Sequence, residues 1–332
     1  MRKPVDGSGS MSQRRGLGGF MMANSPTIRA VILSVALPCL GGCGLTSKQQ
    51  GAVRDFGDAA SALGRVAQDE LPAMRNTMLE INRDMIRANA DLQQAGLQPA
   101  ESVMGVQVLD LDGSLEPGVI KAALQATAGL VGYAEALRTL VDYDSDAELK
   151  AAAEKLSGSI KGLEWSGQVM LADDEADAIG EIVRGVGGWF VEGQKESAVR
   201  KVAGAYKGVV TKLTKQLEQD FDPRHSSGGM ASALFTRAKD HYTLTFAILS
   251  GTTPQPAGWT RDTAMASYER AVATLRRLDV VYGGIARACN ELDQANRAMV
   301  DLLDNDELDI KAIKSFFKSA RGVVDAARVF VD

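Results

Sequence analysis

Histidine and cysteine are almost missing from this sequence, with two of the first and three of the second among 332 residues. That scarcity excludes zinc fingers and ribbons, whose ligands recur as closely spaced cysteine and histidine pairs. There is no G-x-S-x-G elbow of the kind that presents a nucleophilic serine. Nor is there a Gly-rich loop followed by Lys and Ser or Thr, the arrangement that cradles nucleotide phosphates. No apolar run approaches the roughly 20 residues that span a bilayer. Aromatic residues make up only 5% of the chain, and strand-like alternation is confined to Val106 and Val108. Helices are therefore the expectation throughout.

What is present begins with "AVILSVALPCL" after Arg29, an apolar stretch of the length and flanking charge of a signal-peptide core. The residues before it include the Gly- and Ser-rich "DGSGSMSQRRGLGG", long for a signal peptide, and a start at Met21 or Met22 fits better. The next residues, Leu40, Gly41, Gly42 and Cys43, resemble the lipobox of bacterial lipoproteins. The resemblance covers the N-terminus alone. It implies cleavage before Cys43, diacylglycerol on the Cys43 thiol and an acyl group such as palmitate on the new amino group. The residue types suit that chemistry: glycines at 41 and 42 let an extended backbone enter a narrow protease site, and cysteine supplies the sulfur nucleophile. Each buried methylene contributes about 0.8 kcal/mol, so two or three acyl chains hold a protein where one does not. Gly44 is not the aspartate that retains lipoproteins in the inner membrane of enteric bacteria, which implies the outer membrane, facing the periplasm. Residues 1–42 are thus expected to be a signal peptide, and 43–332 a single periplasmic helical-bundle domain.

Charge fits an envelope protein that avoids polyanions. Residues 1–42 hold five of the 37 basic groups and one of the 42 acidic ones, leaving 32 and 41 and a net charge of −9 beyond Gly42. An acidic body argues against nucleic acid as a partner and against electrostatic adhesion to anionic lipid. With Cys39 in the leader and Cys43 acylated, Cys289 is the only free thiol, and no intramolecular disulfide is available.

The body carries two long heptad seams. Leu71, Met74, Met78, Ile81, Met85, Ala88 and Leu92 alternate steps of three and four, as do Tyr268, Ala271, Leu275, Leu278, Tyr282, Ile285, Cys289, Leu292, Asn296, Met299 and Leu303. They predict coiled-coil-like helices over about 48–95, with Pro72 as a kink, and 262–304, the latter about 65 Å long. Further helices are expected at about 117–142, 146–163, 173–218, 229–250 and 307–330. The last places Ile313, Phe316, Phe317, Ala320, Val324 and Ala327 on one face. Pro, Gly, Asp and Ser clusters at 96–118, 220–229 and 251–259 mark the breaks. The fold class is all-α, an elongated multi-helix bundle.

Candidate chemistry is sparse. His225 lies in a loop beside Ser226 and Ser227, and His241 on a helix. Catalysis by either requires burial in a cleft among carboxylates or hydroxyls. Asp142, Asp144 and Asp146 match the first, third and fifth positions of a calcium loop, but Ala147 stands where the loop needs Gly and Ala153 where it needs Glu. Ser145 or Asp146 is better understood as a helix cap, and Asp173, Asp174, Glu175 and Asp177 as a helix N-terminus. The same holds for Asp304, Asp306 and Asp309. In "AIGEIVRGVGGWFVEG" (178–193) the glycines suit close helix packing around Trp189. Asn296 within a seam fixes register; Cys289 is a small buried hydrophobe, or a cross-link if the seam is a dimer interface. These observations favour a non-enzymatic, lipid-anchored binding or scaffolding protein without cofactor or metal. It would join a protein partner through helical surfaces in an envelope or secretion assembly, or neutralise a toxin as an immunity lipoprotein does, as a monomer or a homo-oligomer. The competing class is a membrane-active, pore-forming bundle.

Overall fold

The chain divides between Gly42 and Cys43 into two units. The structure, a computed structural model, describes residues 45–89, 99–103, 106–142, 151, 154, 164–165, 168–169, 193–305 and 310–330. All of these belong to the second unit.

Helix α1, Ser47–Ala88, begins where its sequence caps it. The Gln49 backbone N–H donates to the Thr46 hydroxyl at 3.2 Å, and the Thr46 N–H donates to Gln49 Oε1 at 2.8 Å, so two orphan donors are satisfied reciprocally. Its 42 residues make a rod about 63 Å long. Pro72 lies inside the helix without ending it. The end comes earlier than the heptad pattern predicts. Asn89 turns to extended backbone while its side-chain amide donates to the Met85 carbonyl at 3.0 Å. The expected seam is the buried one: Leu71, Met74, Met78, Ile81 and Met85 all face the core, Ala88 is half-buried, and Leu92 lies outside the described residues.

After α1 come two antiparallel strands, β1 (Pro99–Val103) and β2 (Val106–Leu109), the second being the stretch expected to be strand-like. A second short pair, β3 (Glu164–Trp165) and β4 (Gln168–Val169), has no counterpart in the alternation pattern, being two residues per strand. Helix α2, Pro117–Asp142, returns along α1. Their close approach depends on glycine: a Cβ at Gly64 would sit 2.5 Å from Val131 Cγ2, and one at Gly57 3.0 Å from the Ala134 carbonyl.

The remaining helices are α3 (Gly193–Phe221), α4 (Met230–Leu249), α5 (Arg261–Arg277), α6 (Gly283–Asn305) and α7 (Ile310–Val329). The helix expected at 146–163 lies outside the described residues except at Ala151 and Glu154, both helical, and so do residues 173–192. α1, α2, α3, α6 and α7 enclose one core, at whose centre Tyr133 stacks on Tyr206 with ring centroids 4.6 Å apart. Phe56 packs edge-on against Tyr133 and lies 5.9 Å from Phe316. The α4–α5 hairpin packs on the C-terminal half of α1 and is finished by a satellite cluster of Ile248, Trp259 and Ala264.

The long helix expected at 262–304 is present with one interruption. α5 and α6 are joined by a π-helical turn, Leu278–Tyr282, which inserts an extra residue and rotates the buried face. Downstream, Leu278, Tyr282, Ile285, Cys289, Leu292, Asn296, Met299 and Leu303 are buried as expected. Upstream the core face is Ala264, Ser267, Ala271 and Thr274, while Tyr268 and Leu275 are only half-buried. On α7, Ile313, Phe316, Ala320 and Ala327 are buried as expected, while Val323 rather than Val324 is buried and Phe317 stays 38% exposed.

Candidate functional site

Leu40, Gly41, Gly42 and Cys43 lie outside the described residues. Leu45, two positions after Cys43, already belongs to the core, and two residues of chain reach at most about 7 Å. Any lipid on Cys43 would therefore be coupled to α1 without a linker.

The densest polar chemistry lies where α4 and α5 meet α1. Asp84 is buried, and its Oδ2 accepts from the Ser267 hydroxyl at 3.0 Å and from Arg270 Nη1. The His241 imidazole, 0% exposed, places Nε2 3.7 Å from the same oxygen, and neither ring nitrogen has a hydrogen-bond partner. Burial pushes the imidazole down to about 4. Asp84 opposes that shift, while Arg270 and Arg237 reinforce it. Two residues before Asp84 on α1, Asn82 accepts from Arg237 Nε and donates to the Leu111 carbonyl at 2.8 Å. Histidine, carboxylate and hydroxyl are thus gathered as a catalytic reading would require, but the hydroxyl proton is given to Asp84 and the imidazole is sealed from solvent. This geometry joins three helices through one buried carboxylate.

A second buried charge lies about 21 Å back along α1. Glu70, only 3% exposed at its side chain, receives both Nε and Nη2 of Arg277 at 2.9 and 2.8 Å. This carboxylate holds the Arg277 guanidinium above its ordinary range, and burial pushes the Tyr282 phenol beside it up as well. Arg277 immediately precedes the π-turn. Thr77, Glu80, Thr274 and Tyr282 line a small cavity together with Arg270 and Arg277, but both arginines are committed to carboxylates.

Other candidates resolve individually. His225 is in an exposed turn, its Nδ1 2.9 Å from Ser227 Oγ and 3.2 Å from the Gly228 carbonyl. Cys289 is 1% exposed, and burial pushes its thiol up. Asn296 accepts from the Tyr133 hydroxyl at 2.7 Å, so its seam is covered by α2 of the same chain. Asp142 pairs with Arg54 and, at 3.5 Å, with Arg138; Asp144 and Asp146 lie outside the described residues. So do Asp173, Asp174, Glu175, Asp177, Trp189 and Phe190. Among the described residues no three His, Cys, Asp or Glu side chains converge as metal ligands, and no helix is long and apolar enough to cross a membrane.

Two surface features lie outside the buried seams. Tyr242, Phe246 and Tyr268 form an aromatic group on the α4–α5 hairpin, with centroids 5.4 to 6.4 Å apart and Phe246 52% exposed. The second is the charge on the outer face of α7. Comparison with protein-family models, with curated proteins and with solved structures finds no match.

Proposed function

We propose that this chain is a non-enzymatic, lipid-anchored binding or scaffolding protein, held by diacylglycerol and an N-acyl group at Cys43 on the periplasmic face of the outer membrane. The observation that carries the reading is the run Leu40-Gly41-Gly42-Cys43, placed after an apolar leader and two residues before the core begins at Leu45. A bundle tied that closely to its anchor offers its sides to a partner. Along α1 and α2 those sides are laced with exposed ion pairs, Arg138 with Asp58 at 3.0 Å and Arg65 with Glu135 at 3.4 Å. Such pairs contribute under about 1 kcal/mol each and act more in orienting partners than in stability.

The Tyr242, Phe246 and Tyr268 group, with Met265 42% exposed nearby on α5, is the surface best suited to a protein partner. Exposed aromatics that touch each other are the usual centres of interfaces. The test is affinity capture after cross-linking in intact envelopes, comparing the native chain with Cys43→Ser and Phe246→Glu. Mass spectrometry of the N-terminal peptide should find acylated Cys43. One enriched protein, lost in Phe246→Glu, is the expected outcome. An unmodified Cys43 would overturn the anchor, and undiminished capture by Phe246→Glu would overturn the surface.

A further inference from the structure

α7 runs against the charge of the body that carries it. Within Ile310–Val329 there are five cations, Lys311, Lys314, Lys318, Arg321 and Arg328, against Asp325 alone. They recur in steps of three, four, three and seven, so all lie along one stripe, and all five are exposed. The opposite stripe, Ile313, Phe316, Ala320, Val323 and Ala327, is buried in the core, which forces the cations outward. Lys314, Lys318 and Arg321 make no ion pair among the described residues, whereas Arg328 approaches Asp325 at 3.7 Å. In sequence the acids Asp306, Glu307 and Asp309 immediately precede the helix, and the sign of the charge changes at Lys311.

Apolar groups are exposed beside the cations. Phe317 is 38% exposed and Val329 75%, and Val280, 45% exposed, lines with Arg287, Lys318 and one acid, Glu291, the groove between α6 and α7. A row of cations flanked by protruding apolar groups is the composition of a surface that meets anionic lipid headgroups, where each Lys or Arg contributes about 1 kcal/mol.

The position of α7 selects that occupant. Phe316 touches Phe56 near the start of α1, while Phe330 lines a cavity with Thr77 and Glu80 farther along it, so the two helices run parallel. Ser47 lies nine residues before Phe56 and Ile310 six before Phe316, offsets of about 14 and 9 Å along the axes. The stripe therefore starts within about 5 Å of the end of the bundle that leads to Cys43. We propose that the outward face of α7, centred on Lys314, Lys318 and Arg321 with Phe317 beside them, is a contact surface for anionic phospholipid that lays the rod along the membrane. The argument rests on the lipid-anchor reading for why phospholipid is the anionic surface within reach, although the stripe's affinity requires no acyl chain.

The test uses the full chain carrying Cys43→Ser, which takes no lipid, in co-sedimentation with vesicles of phosphatidylcholine alone or of equimolar phosphatidylcholine and phosphatidylglycerol. Binding should be stronger to the anionic vesicles and fall with salt. Lys314→Gln, Lys318→Gln and Arg321→Gln together should weaken it on the order of 100-fold, with unchanged helical circular dichroism and little change on phosphatidylcholine. A control of equal net charge, Lys212→Gln, Lys215→Gln and Lys239→Gln on α3 and α4, should bind as the parent does. Equal binding by parent and stripe variant, equal loss in the control, or indifference to phosphatidylglycerol would each overturn the proposal. So would a stripe variant that keeps its vesicle binding but loses a cross-linked acidic protein in envelopes, since the face would then be a protein interface. Because acylation of the native chain is measured separately, failure of the stripe and failure of the anchor are distinguishable.

Discussion

His241 is a histidine kept neutral by its surroundings, and that makes it a source of acid sensitivity. Its ordinary value is 6.5 and burial lowers it to about 4, so between those values the unfolded chain takes up a proton that the folded chain refuses. Stability is therefore complete above about pH 6.5 and declines as pH falls toward 4, by roughly 3 kcal/mol at 1.36 kcal/mol per unit. Urea unfolding at pH 7 and pH 4.5 should show this loss. In His241→Leu the difference between the two pH values should shrink by most of that amount. A variant as acid-sensitive as the parent would mean that Asp84 and Arg270 are not arranged around a neutral imidazole. The same scale holds a contrast at the centre of the core: the Tyr133 hydroxyl has Asn296 to receive its proton, whereas the Tyr206 hydroxyl and Asn296 Nδ2 have no partner. Hydrogen bonding there buries some polar groups at a cost, which favours one register over maximal stability.

Between elements, α1 holds α5 at two buried carboxylates, Asp84 with Ser267 and Arg270, and Glu70 with Arg277. Removing the guanidinium in Arg277→Met strands a buried carboxylate, which costs about 3 to 5 kcal/mol. Glu70→Gln combined with Arg277→Met should recover much of it, a non-additivity that denaturant midpoints of the single and double variants will read. If the single variant is nearly neutral, the pair is ornamental and the π-turn stands without it. The helices themselves were largely legible: α2, α4 and α7 lie within three residues of their expected limits. The π-turn was not, because a heptad count assumes a constant 3.5 residues per turn and one inserted residue leaves no mark in hydrophobicity. Tyr268 and Leu275, both seam positions of the heptad, are for that reason only half-buried, Leu275 packing at the edge of the core. Asp84 and Glu70 were passed over because a lone acid between apolar residues looks solvated until its arginine, some 190 to 210 residues later, is known to meet it.

At the scale of the whole body, a helix about 63 Å long sets the shape. A compact sphere of about 290 residues has a radius of gyration near 19 Å. Small-angle scattering of residues 43–332 should give a clearly larger value; one at or below it would be incompatible with α1 running as a single rod. Net charge misleads at this scale, since a body at −9 still carries a basic stripe on one of its helices.

Sequence by itself determined the helical class, most helix limits, the seams that are buried and the candidate lipid attachment at Cys43. These depend on local spacing, and spacing is written along the chain. Tertiary structure alone decided that Asp84, His241 and Ser267 share one buried site, that Arg277 answers Glu70, and that α7 turns its cations outward beside the start of α1. Those facts depend on which helix covers which face, and that is set by packing between residues far apart in the chain.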